Sequence, residues 1–243
     1  MQEMILFLKK LFAFVKRDFQ TEISYRISFL LQVFGIFINV SVFFFLSKLL
    51  GTAQMPQLAE YGGDYFAFVL IGIAFNYYLS VSLNSLSQSI REGQIMGTLE
   101  ALLVTQTEIP TIIISSSVYS FLFTTLRVII FIIIGVFVYG LDLSRANYAG
   151  AVVILLISII AFSSFGILSA SFVMVLKKGD PVASIFNGIS WLLGGVYYPV
   201  SILPSWLKPF SYFLPITYSL EGMRLALIKG ASFYNLLPSI FSL

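Results

Sequence analysis

The feature that most constrains this chain is a series of long apolar runs, each close to or beyond the roughly 20 residues with which an α-helix crosses hydrocarbon. The runs lie at 27–50, 65–86, 111–139, 148–176 and 181–198. Hydrophobic residues make up 58% of the 243 positions and charged residues only 10%, whereas a soluble domain needs about 25% charge. The sequence therefore predicts an all-α integral membrane protein, a single transmembrane domain with five clear transmembrane helices.

The N-terminal segment 1–26 is predicted to lie on the membrane surface as an amphipathic helix. Its apolar residues recur at alternating spacings of three and four, which places them on one helix face. The polar side chains on the other face are Lys9, Lys10, Lys16, Arg17 and Gln20. A two-heptad coiled-coil seam is the alternative, but such a seam is too short to be stable alone.

Prolines dominate the segment that follows the fifth apolar run. They stand at Pro199, Pro204, Pro209 and Pro215, and proline removes a helix hydrogen bond and clashes with the preceding turn. A single spanning helix cannot form here, so we predict an outer re-entrant segment over 199–230 with short helices at about 205–214 and 216–228.

The apolar tail 231–243 would begin a sixth span. At ~1.5 Å per residue it reaches only ~20 Å of a ~30 Å hydrocarbon layer, so the sixth span is incomplete. Truncation of the sequence and a half-helix that ends in the membrane both remain open, and we favour truncation.

The distribution of Lys and Arg predicts the orientation. Cations cluster in 9–26, at Arg91 and at 177–178, whereas the first two outer loops carry only Lys48 and Arg145. Because cytoplasmic loops are rich in Lys and Arg, the N-terminus is expected in the cytoplasm of a multi-pass protein of the cell inner (plasma) membrane. The polar loop 91–108 and the turn 177–180 then face the cytoplasm together.

Two polar stripes run along the second and third predicted spans. They consist of Asn76, Tyr77, Tyr78, Ser80 and Asn84 on the second, and of Ser117, Ser120, Thr124 and Arg127 on the third. One interpretation is that these side chains join neighbouring helices by hydrogen bonds. The other is that they line a route, with Arg127 attracting an anionic group or the Tyr rings stacking on sugars. An isolated charge at this depth costs at least ~2.5 kcal/mol, so Arg127 should have a partner.

Two motifs resemble a known family. The loop reads Gly97-Thr98-Leu99-Glu100-Ala101-Leu102-Leu103, which is similar to the Gly-Thr-Leu-Glu-x-Leu-Leu pattern of the type-2 permease subunits of ATP-binding-cassette (ABC) exporters. The second motif comprises Gly194, Gly195, Pro199, Pro204, Pro215, Glu221 and Arg224 in the order of that family's outer re-entrant signature. With the N-terminal helix, the resemblance covers nearly the whole chain.

The resemblance implies a transport subunit that is driven from outside. The chain has no phosphate-loop motif, so ATP and Mg would be bound by a separate cytoplasmic ATPase, with two copies of it and two permease copies per complex, and no cofactor in this chain. A short coupling helix around 92–104 would contact that ATPase. The residues assigned to this coupling are Arg91, Glu92, Gly97, Thr98, Leu99 and Glu100.

The implied substrate is an amphiphile, such as a lipid-linked polysaccharide or a drug, in contact with membrane lipid. A secondary transporter driven by an ion gradient is the alternative, but its usual mark, a carboxylate at the midplane, is missing from all five spans. A membrane-embedded hydrolase ranks last, because the chain has no His or Cys and no paired carboxylates for acid–base work. The net charge of +3 gives no reason to expect nucleic-acid binding.

Overall fold

The computed structural model describes residues 9, 11–13, 15–16, 19–20, 26–50, 56–95, 97, 109–176 and 180–243. From residue 26 onward the described chain is helical and contains no strand. Its α-helices are α1 (Arg26–Leu50), α2 (Tyr65–Ile95), α3 (Ile109–Phe137), α4 (Tyr148–Leu176), α5 (Pro181–Leu193), α6 (Lys208–Tyr212), α7 (Pro215–Leu227) and α8 (Phe233–Phe241). Two 3-10 turns, Pro56–Tyr61 and Val200–Ile202, complete the described elements.

Four of these helices are long and apolar enough to cross a membrane. Their qualifying segments are Ile27–Leu50, Tyr65–Gln88, Ser117–Phe137 and Tyr148–Val175, so the predicted all-helical, multi-pass architecture is confirmed. Helix α5 has 13 residues, or ~20 Å, which is too short to cross ~30 Å of hydrocarbon. Five or six complete spans therefore stay a prediction.

Helix α2 is the centre of the bundle. It packs against α1, α3, α4, α5 and α7. In its most apolar 18-residue stretch 78% of the residues are buried, against 11% for α1, 22% for α3 and 28% for α4. The outer helices expose large apolar side chains such as Phe34, Leu126 and Ile160. In a bilayer these surfaces can contact lipid, because lipid tails are as apolar as the side chains of a protein core.

Small residues allow α4 to approach its neighbours closely. A Cβ at Gly166 would lie 2.0 Å from the carbonyl oxygen of Ser82, so only glycine lets α4 cross α2 at this distance. Farther along α4, the hydroxyl of Ser158 donates to the hydroxyl of Ser219 on α7 at 2.8 Å. Both features are typical of helix packing in membranes, where small residues and buried hydroxyls form the contacts.

The re-entrant segment lies at the same end of the bundle as the turn between α3 and α4. The main-chain N–H of Asn147 donates to the carbonyl of Ala226 at 2.8 Å, and its side-chain amide donates to the carbonyl of Ala231 at 2.8 Å. We call this end, which also holds residues 56–64, the signature end. The C-terminal part of α2 and the turn before α5 form the opposite end, which we call the coupling end.

Several predicted boundaries need correction. The second span was expected to end at 86, but α2 continues to Ile95, because polar residues can extend a helix beyond the apolar run. The fifth apolar run continues to 198, whereas α5 ends at Leu193, where Gly194 caps it and Gly195 adopts a φ of +78°. An apolar run shows only which residues can lie in lipid. Where the helix ends is decided by its backbone, and a glycine in the left-handed region ends it.

The short helices of the re-entrant segment are Lys208–Tyr212 and Pro215–Leu227, somewhat shorter than the ranges predicted. The described positions between 9 and 20 are helical, with Phe12 and Phe19 exposed. Most of the segment 1–26 lies outside the described residues, so the interfacial helix stays a prediction.

Candidate functional site

The polar stripe on α2 forms hydrogen bonds to two neighbouring helices. The hydroxyl of Tyr78 donates to the hydroxyl of Thr125 on α3 at 3.0 Å, and the hydroxyl of Ser80 donates to Oδ1 of Asn187 on α5 at 3.0 Å. Asn84 donates back to the carbonyl of Ser80 at 2.7 Å. Two members of the stripe thus link α2 to α3 and α5, as expected for polar residues between membrane helices.

The other two members of the α2 stripe have different surroundings. Oδ1 of Asn76 is buried without a hydrogen-bond partner among the described residues, and the same is true of Oδ1 of Asn39 on α1. Tyr77 packs edge-on against Phe131 with ring centroids 6.1 Å apart. A buried amide oxygen that lacks a donor is unfavourable by about 1–3 kcal/mol, so Oδ1 of Asn76 retains an unused capacity to accept a hydrogen bond.

The stripe on α3 contains the one cation inside the described spanning segments that stands far from a helix end. Arg127 donates to Oε1 of Gln32 on α1, and its guanidinium lies 4.5 Å from the ring centroid of Phe123. The prediction that this charge has a partner is confirmed. Ser117 and Thr124 are buried and Ser120 is half-buried, so the α3 stripe lies inside the bundle and does not face lipid.

At the coupling end, Arg91 and Glu92 lie on the last turns of α2 itself, and Arg91 is exposed. A separate coupling helix therefore cannot begin at 92. Gly97 follows α2 with a φ of +66°, a left-handed conformation that favours glycine. The remaining coupling residues, Thr98, Leu99 and Glu100, lie outside the described residues.

Asp180 joins two helices at the same end. Its Oδ1 accepts the N–H of Ala183 at 2.9 Å and so caps the N-terminus of α5, and its Oδ2 accepts the hydroxyl of Ser169 on α4. Partial burial raises the pKa of Asp180, but polar contacts, first among them the hydrogen bond from Ser169, outweigh it, so the pKa lies below its usual value. Sequence reasoning missed this residue, although an Asp directly before a Pro is a known helix-start signal.

At the signature end, Arg224 on α7 is buried and binds main-chain carbonyl groups. Nε and Nη2 donate to the carbonyl of Phe68 on α2 at 3.2 and 3.1 Å, and Nη2 also donates to the carbonyl of Val196 at 3.1 Å. The guanidinium lies 3.4 Å from the ring centroid of Phe68 and 5.8 Å from that of Tyr61. One side chain thus links α7, α2 and the turn after α5.

The other signature residues shape this turn. Gly194 is the C-cap of α5 and donates to the carbonyl of Ser190 at 2.9 Å. The prolines stand at starts of local structure: Pro199 precedes the 3-10 turn, Pro204 precedes α6 and Pro215 begins α7. Glu221 is exposed on α7. The signature therefore includes residues that form the turn, together with Arg224, which fixes the turn to α2.

The fold and these sites define a class of protein: a multi-pass helical membrane protein whose interior polar groups join helices, and whose described residues contain no cluster of three or more metal-ligating side chains. The model of the ABC-2 type transporter family matches residues 9–228. The chain therefore belongs to the ABC-2 type transporter family and is a membrane permease of an ABC transporter. No curated protein matches the chain.

Proposed function

We propose that this chain is the permease subunit of an ABC exporter and forms the translocation pathway for an amphiphilic substrate, such as a lipid-linked polysaccharide or a drug-like molecule. A separate cytoplasmic ATPase drives it, with two permease and two ATPase copies per complex and with ATP and Mg bound by the ATPase. The observation that carries the proposal is the family match over residues 9–228. The sequence contains no phosphate-loop motif, so we propose that ATP hydrolysis by the separate ATPase drives the movement of substrate through this permease.

The architecture of α2 supports this mechanism. The helix is one element of 31 residues, about 46 Å long, and it extends from the contact with Arg224 at the signature end to Arg91 at the coupling end. At the coupling end, Asp180 ties α4 to α5 through Ser169 and Ala183, and Ser80 on α2 donates to Asn187 on α5. A displacement imposed near Arg91 would pass along a rigid helix to the re-entrant segment and, through the bond between Ser80 and Asn187, to α5.

This mechanism requires that the chain lies in the inner (plasma) membrane of the cell. It also requires that the coupling end faces the cytoplasm. Arg91 and the described N-terminal cations at Lys9 and Lys16 support that orientation, because cytoplasmic segments are enriched in Lys and Arg. The four spanning segments contain no Asp or Glu, which argues against the alternative of a secondary transporter whose coupling ion binds a midplane carboxylate.

The pathway role of the polar stripes is also part of the proposal. Asn76 and Arg127 are the residues to test first, because Oδ1 of Asn76 has no hydrogen-bond partner among the described residues and Arg127 carries the charge that could attract an anionic group. Substituting Arg127→Met separates the two roles. A folded, assembled protein with impaired transport supports a role in the pathway, whereas unchanged transport with lost assembly contradicts it.

The test of the function is a pull-down of the tagged full-length protein from native membranes in mild detergent, with co-purified proteins identified by mass spectrometry. We expect a soluble phosphate-loop ATPase at about equal stoichiometry, and its loss when residues 92–100 are scrambled. As a control, the scrambled protein must elute from gel filtration like the wild type. A protein that comes out alone under every mild condition would favour ion-gradient transport instead.

A further inference from the structure

A pocket of about 440 Å³ opens at the signature end, between the C-termini of α1 and α3 and the N-terminus of α2. Its walls are formed by Phe44, Ser47, Lys48, Asp64, Phe66, Tyr139 and Gly140. The volume lies within the range of about 300–1,000 Å³ that is typical of small-ligand sites. None of the polar stripes or motif residues discussed above lines this pocket, so the proposed transport function does not account for it.

One wall of the pocket is a cluster of three aromatic rings. The ring centroids of Phe44 and Tyr139 are 4.5 Å apart, those of Phe44 and Phe66 are 5.5 Å apart, and those of Phe66 and Tyr139 are 6.0 Å apart. The hydroxyl of Tyr139 is hydrogen-bonded to that of Ser41, which fixes the orientation of the ring. The wall is therefore preorganised, and the faces of aromatic rings attract cations.

The pocket also holds two opposite charges. The ammonium of Lys48 lies 5.3 Å from the ring centroid of Phe44, so this charge is held against the aromatic wall. Oδ1 of Asp64 accepts the main-chain N–H of Phe66 at 2.9 Å, which holds the carboxylate at the start of α2, in the lining of the same pocket. Both side chains are exposed to the pocket opening, and within the described residues no ion pair joins them. Each therefore retains the capacity to bind a group of opposite charge.

From this arrangement we infer that the pocket binds the headgroup of a zwitterionic phospholipid that carries a phosphate and a primary ammonium. Lys48 contacts the phosphate through a charge-assisted hydrogen bond, and Asp64 with the aromatic wall contacts the ammonium. The lipid source is favoured over a free zwitterion because the pocket is flanked by exposed apolar side chains at Phe45, Leu49 and Phe137, along which acyl chains can lie.

The experiment measures the apparent Kd of the purified full-length protein for a fluorescent phosphatidylethanolamine by anisotropy in detergent micelles. Losing one charge-assisted contact should weaken binding about tenfold, so we expect that change for Lys48→Met and for Asp64→Asn. The Asn variant keeps an oxygen that can cap α2, so folding should survive. The matched control is Lys229→Met, an exposed lysine that does not line the pocket, and we expect no change for it.

Two comparisons distinguish the ligand. The binding of an anionic phospholipid without an ammonium should be weakened by Lys48→Met but not by Asp64→Asn. Soluble glycerophosphoethanolamine should fail to compete with the fluorescent lipid at equal concentration. Binding that is insensitive to Asp64→Asn would overturn the zwitterion assignment. Effective competition by the soluble headgroup would overturn the lipid assignment. If Asp64→Asn fails to elute as a folded protein, Asp64→Ser replaces it, because serine also caps a helix.

Discussion

The guanidinium of Arg224 lies 3.4 Å from the ring centroid of Phe68 and also donates two hydrogen bonds to the main-chain carbonyl of that residue. The two residues are 156 positions apart in the sequence. This contact fixes the re-entrant segment to the central helix α2. Arg224 also donates to the carbonyl of Val196, which attaches the turn after α5 to the same side chain. Arg224 thus joins three parts of the signature end through one buried side chain.

Arg224→Lys should therefore destabilise the protein although it keeps the positive charge. An ammonium lacks the planar fork that serves two carbonyl groups at once, so we expect a loss of about 1–3 kcal/mol from unpaired buried groups. The measurement is the unfolding transition in detergent, followed by intrinsic fluorescence. Arg145→Lys, at an exposed position of the same end, is the control and should leave the transition unchanged. Equal transitions for both variants would show that the Arg224 bonds are dispensable.

Gly72→Ala should disturb the same unit from the side of α2. A Cβ at this position would lie 2.1 Å from the carbonyl oxygen of Val196 and 2.8 Å from Nη2 of Arg224, so the turn must move away. Forcing atoms into a packed site costs about 1–3 kcal/mol, and this loss should appear as a lower unfolding temperature.

The matched control for that substitution is Gly35→Ala on α1, where a Cβ meets nothing within 4 Å. Because alanine favours a helix over glycine by about 1 kcal/mol, the control should be neutral or stabilised. If both variants lose stability equally, the close approach of the turn to Gly72 is not what requires glycine.

The carboxylate of Asp180 should stabilise the coupling end in a pH-dependent way. Asp180→Ala removes the cap of α5, so we expect a loss of about 1 kcal/mol. The folded-state pKa lies below the ordinary value, so the folded protein binds fewer protons than the unfolded chain. The contribution of the charge is therefore full above about pH 4 and is lost as the pH falls through the folded-state pKa.

To measure this pH dependence, the unfolding temperature of the wild type is compared with that of Asp180→Asn, which keeps the shape and removes the charge. The amount by which the wild-type unfolding temperature exceeds that of Asp180→Asn should be constant from about pH 7 to pH 5 and should shrink below about pH 4. An advantage that grows in acid would contradict the sign of the pKa shift.

A double-mutant cycle on Ser80 and Asn187 should reveal the bond between α2 and α5. Interhelical hydrogen bonds in membrane proteins contribute about 0.6 kcal/mol on average, so Ser80→Ala and Asn187→Ala should couple by about that amount in the free energy of unfolding. The control cycle pairs Ser80→Ala with Thr125→Val, because Thr125 binds Tyr78 and not Ser80. We expect additive effects there, and equal coupling in both cycles would refute the specific bond.

The sequence predicted the main helices well because their ends coincide with changes in hydropathy. The fourth predicted span, 148–176, has the same bounds as α4, and the first differs from α1 by one residue. Hydropathy missed the extension of α2 to Ile95 and the early end of α5 at Leu193. A helix continues or stops according to its hydrogen bonds and to glycine conformation, and a hydropathy profile contains neither.

The contacts between helices were not predictable from the sequence. The polar stripes were found from their helical spacing, but their partners Gln32, Thr125 and Asn187 follow from how the helices pack. The same holds for the bonds of Arg224 to Phe68, since no local pattern joins residues so far apart. The resemblance named Arg224 as part of a signature, and the structure supplies the contacts that it makes.

The most direct test of the central claim uses the absence of cysteine from the chain. Arg91→Cys places a single thiol at the coupling end, and Ser144→Cys places one at an exposed position of the signature end. Each variant is treated in native membranes with a thiol-to-amine cross-linker, and the products are identified by mass spectrometry. The account predicts that a phosphate-loop ATPase is linked to Arg91→Cys and not to Ser144→Cys. Linkage at Ser144→Cys alone, or no ATPase at either position, would contradict it.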